Sequence, residues 1–116
     1  MDVERYLSGW RDRARRESEE ADAAERRARA AVPEVAAILR HHGARAIWLI
    51  GSLPRGTFRP QSDLDFLVEG LAEGEVARAA REAVDAVGIE VDVLRMESLD
   101  PAWRAYHQRH GERVDD

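Results

Sequence analysis

Apolar and polar positions change their period several times along the chain, and each change predicts an element. From Val3 to Ala31 the residues are mainly Arg, Glu and Ala, with only Gly9 and no proline, the composition of a long solvated helix. Its apolar face is thin: Val3, Tyr6, Leu7 and Trp10 form a short stripe at helical spacing that mostly alanines continue. Such a helix either docks its first turns on the domain or offers Tyr6 and Trp10 to a partner or a second copy. Pro33 suits the first turn of a new helix, with Val35, Ile38 and Leu39 as its buried face and Gly43 as its stop. His41 and His42 fall in its last turn, where imidazolium complements the helix dipole. Ala46 to Ile50 is a short apolar run ended by Gly51 and reads as a central strand, and Asp65 to Val68 reads as a second strand after the Arg55-to-Gln61 loop. Helical spacing returns through Val76, Ala79, Ala80, Ala83, Val84 and Val87, with Gly88 as the stop. Ile89 to Leu94, IEVDVL, alternates apolar and acidic residues as a half-buried strand does. A last amphipathic helix covers about Pro101 to His110, with Trp103 and Tyr106 as packing residues and His107 and His110 exposed, before a polar end. The order predicts a small α/β (α+β) domain with one sheet of three or slightly more strands, behind a long N-terminal helix.

Length and composition narrow the chemistry. A chain of 116 residues has room for one domain with a modest core and no separate substrate domain. The net charge of -5 and pI near 5.4 disfavour a nucleic-acid binder that works by neutralising phosphates. The positive charge is all arginine, which we read as genome composition rather than function. With no cysteine, disulfides, thiolate metal sites and cysteine nucleophiles are excluded, so any metal must sit on carboxylate or imidazole. No run approaches the ~18 apolar residues of a membrane span, and MDVERYLSGW lacks the pattern of a signal peptide, so a cytoplasmic protein is expected.

The stretch LIGSLPRGTFRPQSDLDFLV carries the candidate chemistry. Asp63 and Asp65, two apart at the start of a strand, point to one face, while Leu64 and Phe66 take the other into the core. Carboxylates that close repel unless a cation lies between them, and hard oxygen ligands suit Mg²⁺. In IEVDVL, Asp92 can join them if that strand pairs beside the Asp65 strand, with Glu90 on the same face. Three aspartates can hold two divalent ions about 3.5 to 4 Å apart, an arrangement that supports in-line displacement at phosphorus. Gly51 lets backbone N–H groups approach an anion, Ser52 adds a hydroxyl, and Arg55 with Arg59 could balance triphosphate charge.

Gly51-Ser52, ten residues, then Asp63-x-Asp65 resembles the motif of the DNA polymerase β-like nucleotidyltransferase superfamily, and GSLPRG…SDLDFLV resembles its minimal nucleotidyltransferase (MNT) group. The likeness covers about residues 33–116, leaving 1–32 as an N-terminal helical extension. Leu53-Pro54 before Arg55 departs from the group, where a small residue more often precedes the arginine. The resemblance implies a nucleotidyltransferase-type mixed sheet packed with helices. It implies an enzyme that uses two Mg²⁺ ions to transfer a nucleotidyl group, AMP from ATP, to a hydroxyl. By that likeness Asp63, Asp65 and Asp92 are the metal-binding and catalytic residues, and Gly51, Ser52, Arg55 and Ser62 bind the nucleotide. Minimal members of this kind act as antitoxins of a HEPN ribonuclease toxin by transferring AMP to a toxin tyrosine, so a HEPN-type partner is expected, in a homo-oligomer or a hetero-oligomer. The alternatives are a non-catalytic antitoxin that neutralises by complex formation, or transfer to a small molecule or RNA end, with RNA the weaker case for an acidic chain.

Overall fold

The computed structural model describes residues 2–114. Helix α1 spans Val3–His41, capped by the Asp2 carboxylate, which accepts the Arg5 N–H. After it come β1 (Ala46–Ile50), the single turn α2 (Ser52–Arg55), β2 (Leu64–Glu69), α3 (Val76–Val87), β3 (Val91–Arg95), α4 (Pro101–His110) and β4 (Glu112–Arg113). Short 3₁₀ turns at Glu73–Glu75 and Met96–Ser98 lead into α3 and towards α4.

The expected helix boundary at Pro33 is not there: α1 is one helix of 39 residues with Pro33 inside it. Pro33 removes one backbone hydrogen bond and crowds the Arg29 carbonyl. Yet Ala24, Ala28, Val32, Val35, Ala36 and Leu39 are buried at helical spacing on both sides of it, and packing of that continuous stripe outweighs the local cost. The N-terminal end differs too. Val3, Tyr6 and Trp10 are 58–60% exposed, and burial begins only at Ala21, so the alanine turns dock while the aromatic turns project.

Among the described residues the sheet has four strands in the order β3-β2-β1-β4, within the three or slightly more expected, of which the sequence places only three. β2 runs antiparallel to β1 and parallel to β3, which makes the sheet mixed. The polar tail supplies the extra strand: Glu112 and Arg113 pair with Leu49 and Trp48, and the Arg113 guanidinium lies 4.8 Å over the Trp48 ring. Ile47 and Leu49 of β1, Leu64, Phe66 and Val68 of β2, and Val91 and Val93 of β3 face α1 and α3 as the main core. The opposite face carries a smaller cluster of Ala46, Trp48, Ile50, Leu67 and Met96, with Leu99 packed against it. By strand alternation Asp65 and Asp92 belong to this second, more open face.

Candidate active site

β1 ends at Ile50, and the chain turns at once into α2 through Gly51, whose φ is 81°. Two constraints ask for glycine there. The left-handed φ disfavours other residues, and a side chain would run into the Asp65 carboxylate, whose Cγ would lie 3.2 Å from an added Cβ. The Gly51 backbone and the Asp65 carboxylate are thus in close approach, as the register Ile50↔Asp65 dictates. Ser52 opens α2, with its carbonyl taken by the Thr57 N–H. Leu53, buried at 1% exposure, anchors the turn, which leaves Arg55 on the surface.

Parallel pairing of β2 and β3 sets Asp65 directly beside Asp92. Asp65 is partly buried, and its carboxyl is pushed up to about 6, first by burial, then by the charges of Asp92 and Asp63, with Arg55 pulling weakly the other way. The two aspartates expected from their spacing to share a face with Asp92 are therefore close enough to act on one another. Among the described residues no three carboxylates or imidazoles are drawn together as a ready metal cage. Like charges without a counterion favour standing apart. The donor set nevertheless fits a hard divalent cation: oxygen ligands only, mutual repulsion, and one carboxyl whose charged form lacks compensation.

The remaining candidates are distributed around this centre. The Ser62 hydroxyl accepts the Arg59 N–H at 2.9 Å, closing the loop that delivers Asp63. Arg59 donates to the Phe58 carbonyl and lies near Glu17, Ser18 and Asp22 of α1. Glu90 precedes β3, and its carbonyl accepts the Leu64 N–H. Beside Asp63 and Ser62 opens a cleft of about 720 Å³, with Arg27 and Ala30 of α1 on one wall and Val87 to Glu90 on another. Its volume is that of a small-molecule site, and the first helix is part of it.

A second group stands at the site that the sequence reading placed elsewhere. Trp103 and Tyr106, expected to pack, are 54% and 41% exposed. Tyr106, His107 and His110 line a small cleft together with Gly51 and Arg55. No local signal reports this, because it depends on α4 returning to β1 through β4.

With this geometry in place, comparison gives the class. Residues 32–114 match the nucleotidyltransferase domain family. The chain belongs to that family and is a nucleotidyltransferase by class. Among solved structures it is similar to a minimal nucleotidyltransferase at 30% identity and a TM-score of 0.64, over 74% of this chain and 89% of that one. It is also similar in fold to a toxin–antitoxin solved with AMP-PNP, at 23% identity and a TM-score of 0.59, over 66% of this chain and 65% of that one. A third is the complex of tri-AMPylated Shewanella oneidensis HEPN toxin with MNT antitoxin, at 18% identity and a TM-score of 0.57, over 74% of this chain and 70% of that one. No curated protein matches the chain. No helix among the described residues is long and apolar enough to cross a membrane.

Proposed function

We propose that this chain is an Mg²⁺-dependent adenylyltransferase that moves AMP from ATP to a tyrosine hydroxyl of a HEPN-type toxin and so acts as its cytoplasmic antitoxin. The observation that carries the reading is the Gly51 turn held against Asp65, with Asp92 beside it in register. Asp63, Asp65 and Asp92 would hold the metal ions, and Gly51, Ser52, Arg55 and Ser62 would bind the nucleotide. When bound, the metal ions supply charge neutralisation at the phosphates and acidify the attacking hydroxyl. The chain's own part is to hold the α-phosphate over the carboxylates, to take the hydroxyl's proton on Asp92, and to offer backbone N–H groups at the Gly51-Ser52 turn.

The protein acceptor is supported by likeness to MNT antitoxins and by the open second face of the sheet. Residues 33–116 would form the transferase domain and 1–32 the extension. Because the exposed Tyr6 and Trp10 turns project from the body, they are the first surface to test for contact with the toxin. The decisive experiment is calorimetric binding of MgATP to wild type and to the Asp63→Ala, Asp65→Ala variant, followed by transfer of labelled AMP to a HEPN partner. Metal-dependent binding lost in the variant, with label on a toxin tyrosine, is the expected result. Binding without transfer, in a variant that still neutralises the toxin, would replace the catalytic antitoxin by one acting through complex formation.

A further inference from the structure

Across the open face the functional groups lie in strand order. Asp92 is on β3, Asp65 on β2, Gly51 at the end of β1, and the end of α4 beyond it, beside β4. Three strand spacings separate the outermost two, on the order of 14 Å. The polarity along that line reverses. Asp63, Asp65 and Asp92 make one end anionic, while the cleft at the other is lined by Arg55, His107, His110 and Tyr106 with Ile50, Gly51 and Gly111, and Gly51 lies between the two, against the Asp65 carboxylate.

We propose that His107 and His110, together with Arg55, form an oxyanion subsite that holds the polyphosphate tail of the nucleotide and the pyrophosphate it becomes. This rests on the nucleotidyltransferase reading above and adds to it two binding residues and a direction for the substrate.

Three observations support the subsite. First, among the described residues neither imidazole is engaged in a hydrogen bond or ion pair, and the Arg55 guanidinium makes no hydrogen bond and acts on Asp65 only weakly, through its charge. Second, the imidazoles are held in place by ring contacts instead. His107 stacks on Trp103 at 5.8 Å, and His110 lies 4.6 Å from Tyr106. Third, the chain is shaped to bring this end of α4 against the Gly51 turn. A Cβ on Gly111 would meet the His107 carbonyl at 2.7 Å and the Leu49 carbonyl at 3.0 Å, so only glycine lets α4 close onto β1 there. The cleft holds about 50 Å³, too narrow for a nucleobase to enter but open to phosphate oxygens.

The order of groups then sets the direction of transfer. The new bond forms between the acceptor oxygen and the α-phosphorus on the β3 side, where the hydroxyl's proton passes to the Asp92 carboxylate. The bond from the α-phosphorus to the bridging oxygen breaks on the α4 side, and its electron pair leaves on pyrophosphate towards Arg55, His107 and His110. Attack and departure on opposite sides of phosphorus are what in-line displacement requires.

The test is calorimetric binding of MgATP, inorganic tripolyphosphate with Mg²⁺, and AMP to wild type, to the His107→Ala, His110→Ala variant and to Arg109→Ala, with circular dichroism melts of each. Arg109 lies on the same helix outside the cleft and serves as the control. The expected result is a loss of about tenfold or more for MgATP and tripolyphosphate in the double variant, the size of a lost charge-assisted hydrogen bond, with AMP binding and the melt unchanged. Unchanged MgATP affinity in the double variant, or an equal loss of AMP that would make the rings a base platform, overturns the subsite while leaving the transferase reading intact. Absence of MgATP binding to wild type overturns that reading and the subsite with it.

Discussion

At Asp65 a single carboxyl carries the tension of the site. Its value of about 6, against 3.8 for the free group, means that the folded chain binds more protons than the unfolded one between those pH values. Stability therefore falls as pH rises through that window, and the cost persists above it. Asp65→Asn removes the cost, and after allowance for solvent screening we expect a gain of about 1 kcal/mol in EDTA at neutral pH. Thermal melts at about pH 7.5 and about pH 3.5 check it: the variant should melt higher at the first and level with wild type at the second. A melt equal to or below wild type at neutral pH would show that Asp65 carries no such burden. The nearness of Asp63 to Asp65 is legible from sequence, since both belong to one short segment. The coupling of Asp65 to Asp92 is not, because that depends on which strand β3 chooses and in which register.

Helix α1 shows how far an element can depart from its local signals. A proline after an alanine run reads as a helix start, and the stripe of Val35, Ile38 and Leu39 fits that reading equally well. What decides is that the buried positions keep phase across Pro33, so one continuous face covers α3 and the sheet. Pro33 is exposed. Pro33→Ala should restore the hydrogen bond to Arg29 without disturbing packing and raise the unfolding free energy by about 1 to 3 kcal/mol in urea titration. A loss would show that the proline sets a bend the packing needs. Strand β4 escaped the sequence reading for a different reason. Two residues, Glu112 and Arg113, are too short to show a period, and they are a strand only because β1 offers an edge.

On the scale of the whole molecule, α1 is tied to the rest by polar contacts as well as by its alanine face. Arg29 donates to both carboxylate oxygens of Glu112, at 2.6 and 2.9 Å, and His42, which ends α1, bonds Glu75 at 3.0 Å and Glu82 at 2.6 Å. The first role expected of His42, complementing the dipole of its own helix, is thus joined by one that binds helix to helix. Those bonds raise the His42 pKa above 6.5 and lower that of Glu75 below 4.5. The His42 contribution is full below 6.5 and is lost as pH rises through the raised value, whereas that of Glu75 is lost as pH falls below 4.5. His42→Gln should therefore lower Tm most near pH 5.5, with the gap closing towards pH 9, and a gap independent of pH would assign the effect to packing. Removing residues 2–20, which precede the first buried position, Ala21, should leave Tm within a few degrees of wild type, and a large fall would reveal a supporting role for the projecting turns. What the sequence by itself determined is the alternation of elements, the neighbouring aspartates Asp63 and Asp65 and the Gly51-Ser52 turn, because each is written in residues within one element or one turn of each other. Only the tertiary structure decided that α1 is unbroken, that Asp92 stands beside Asp65, and that His107 and His110 face Gly51. These depend on strand order, register and the burial of a shared face, energies that exist only once distant segments meet.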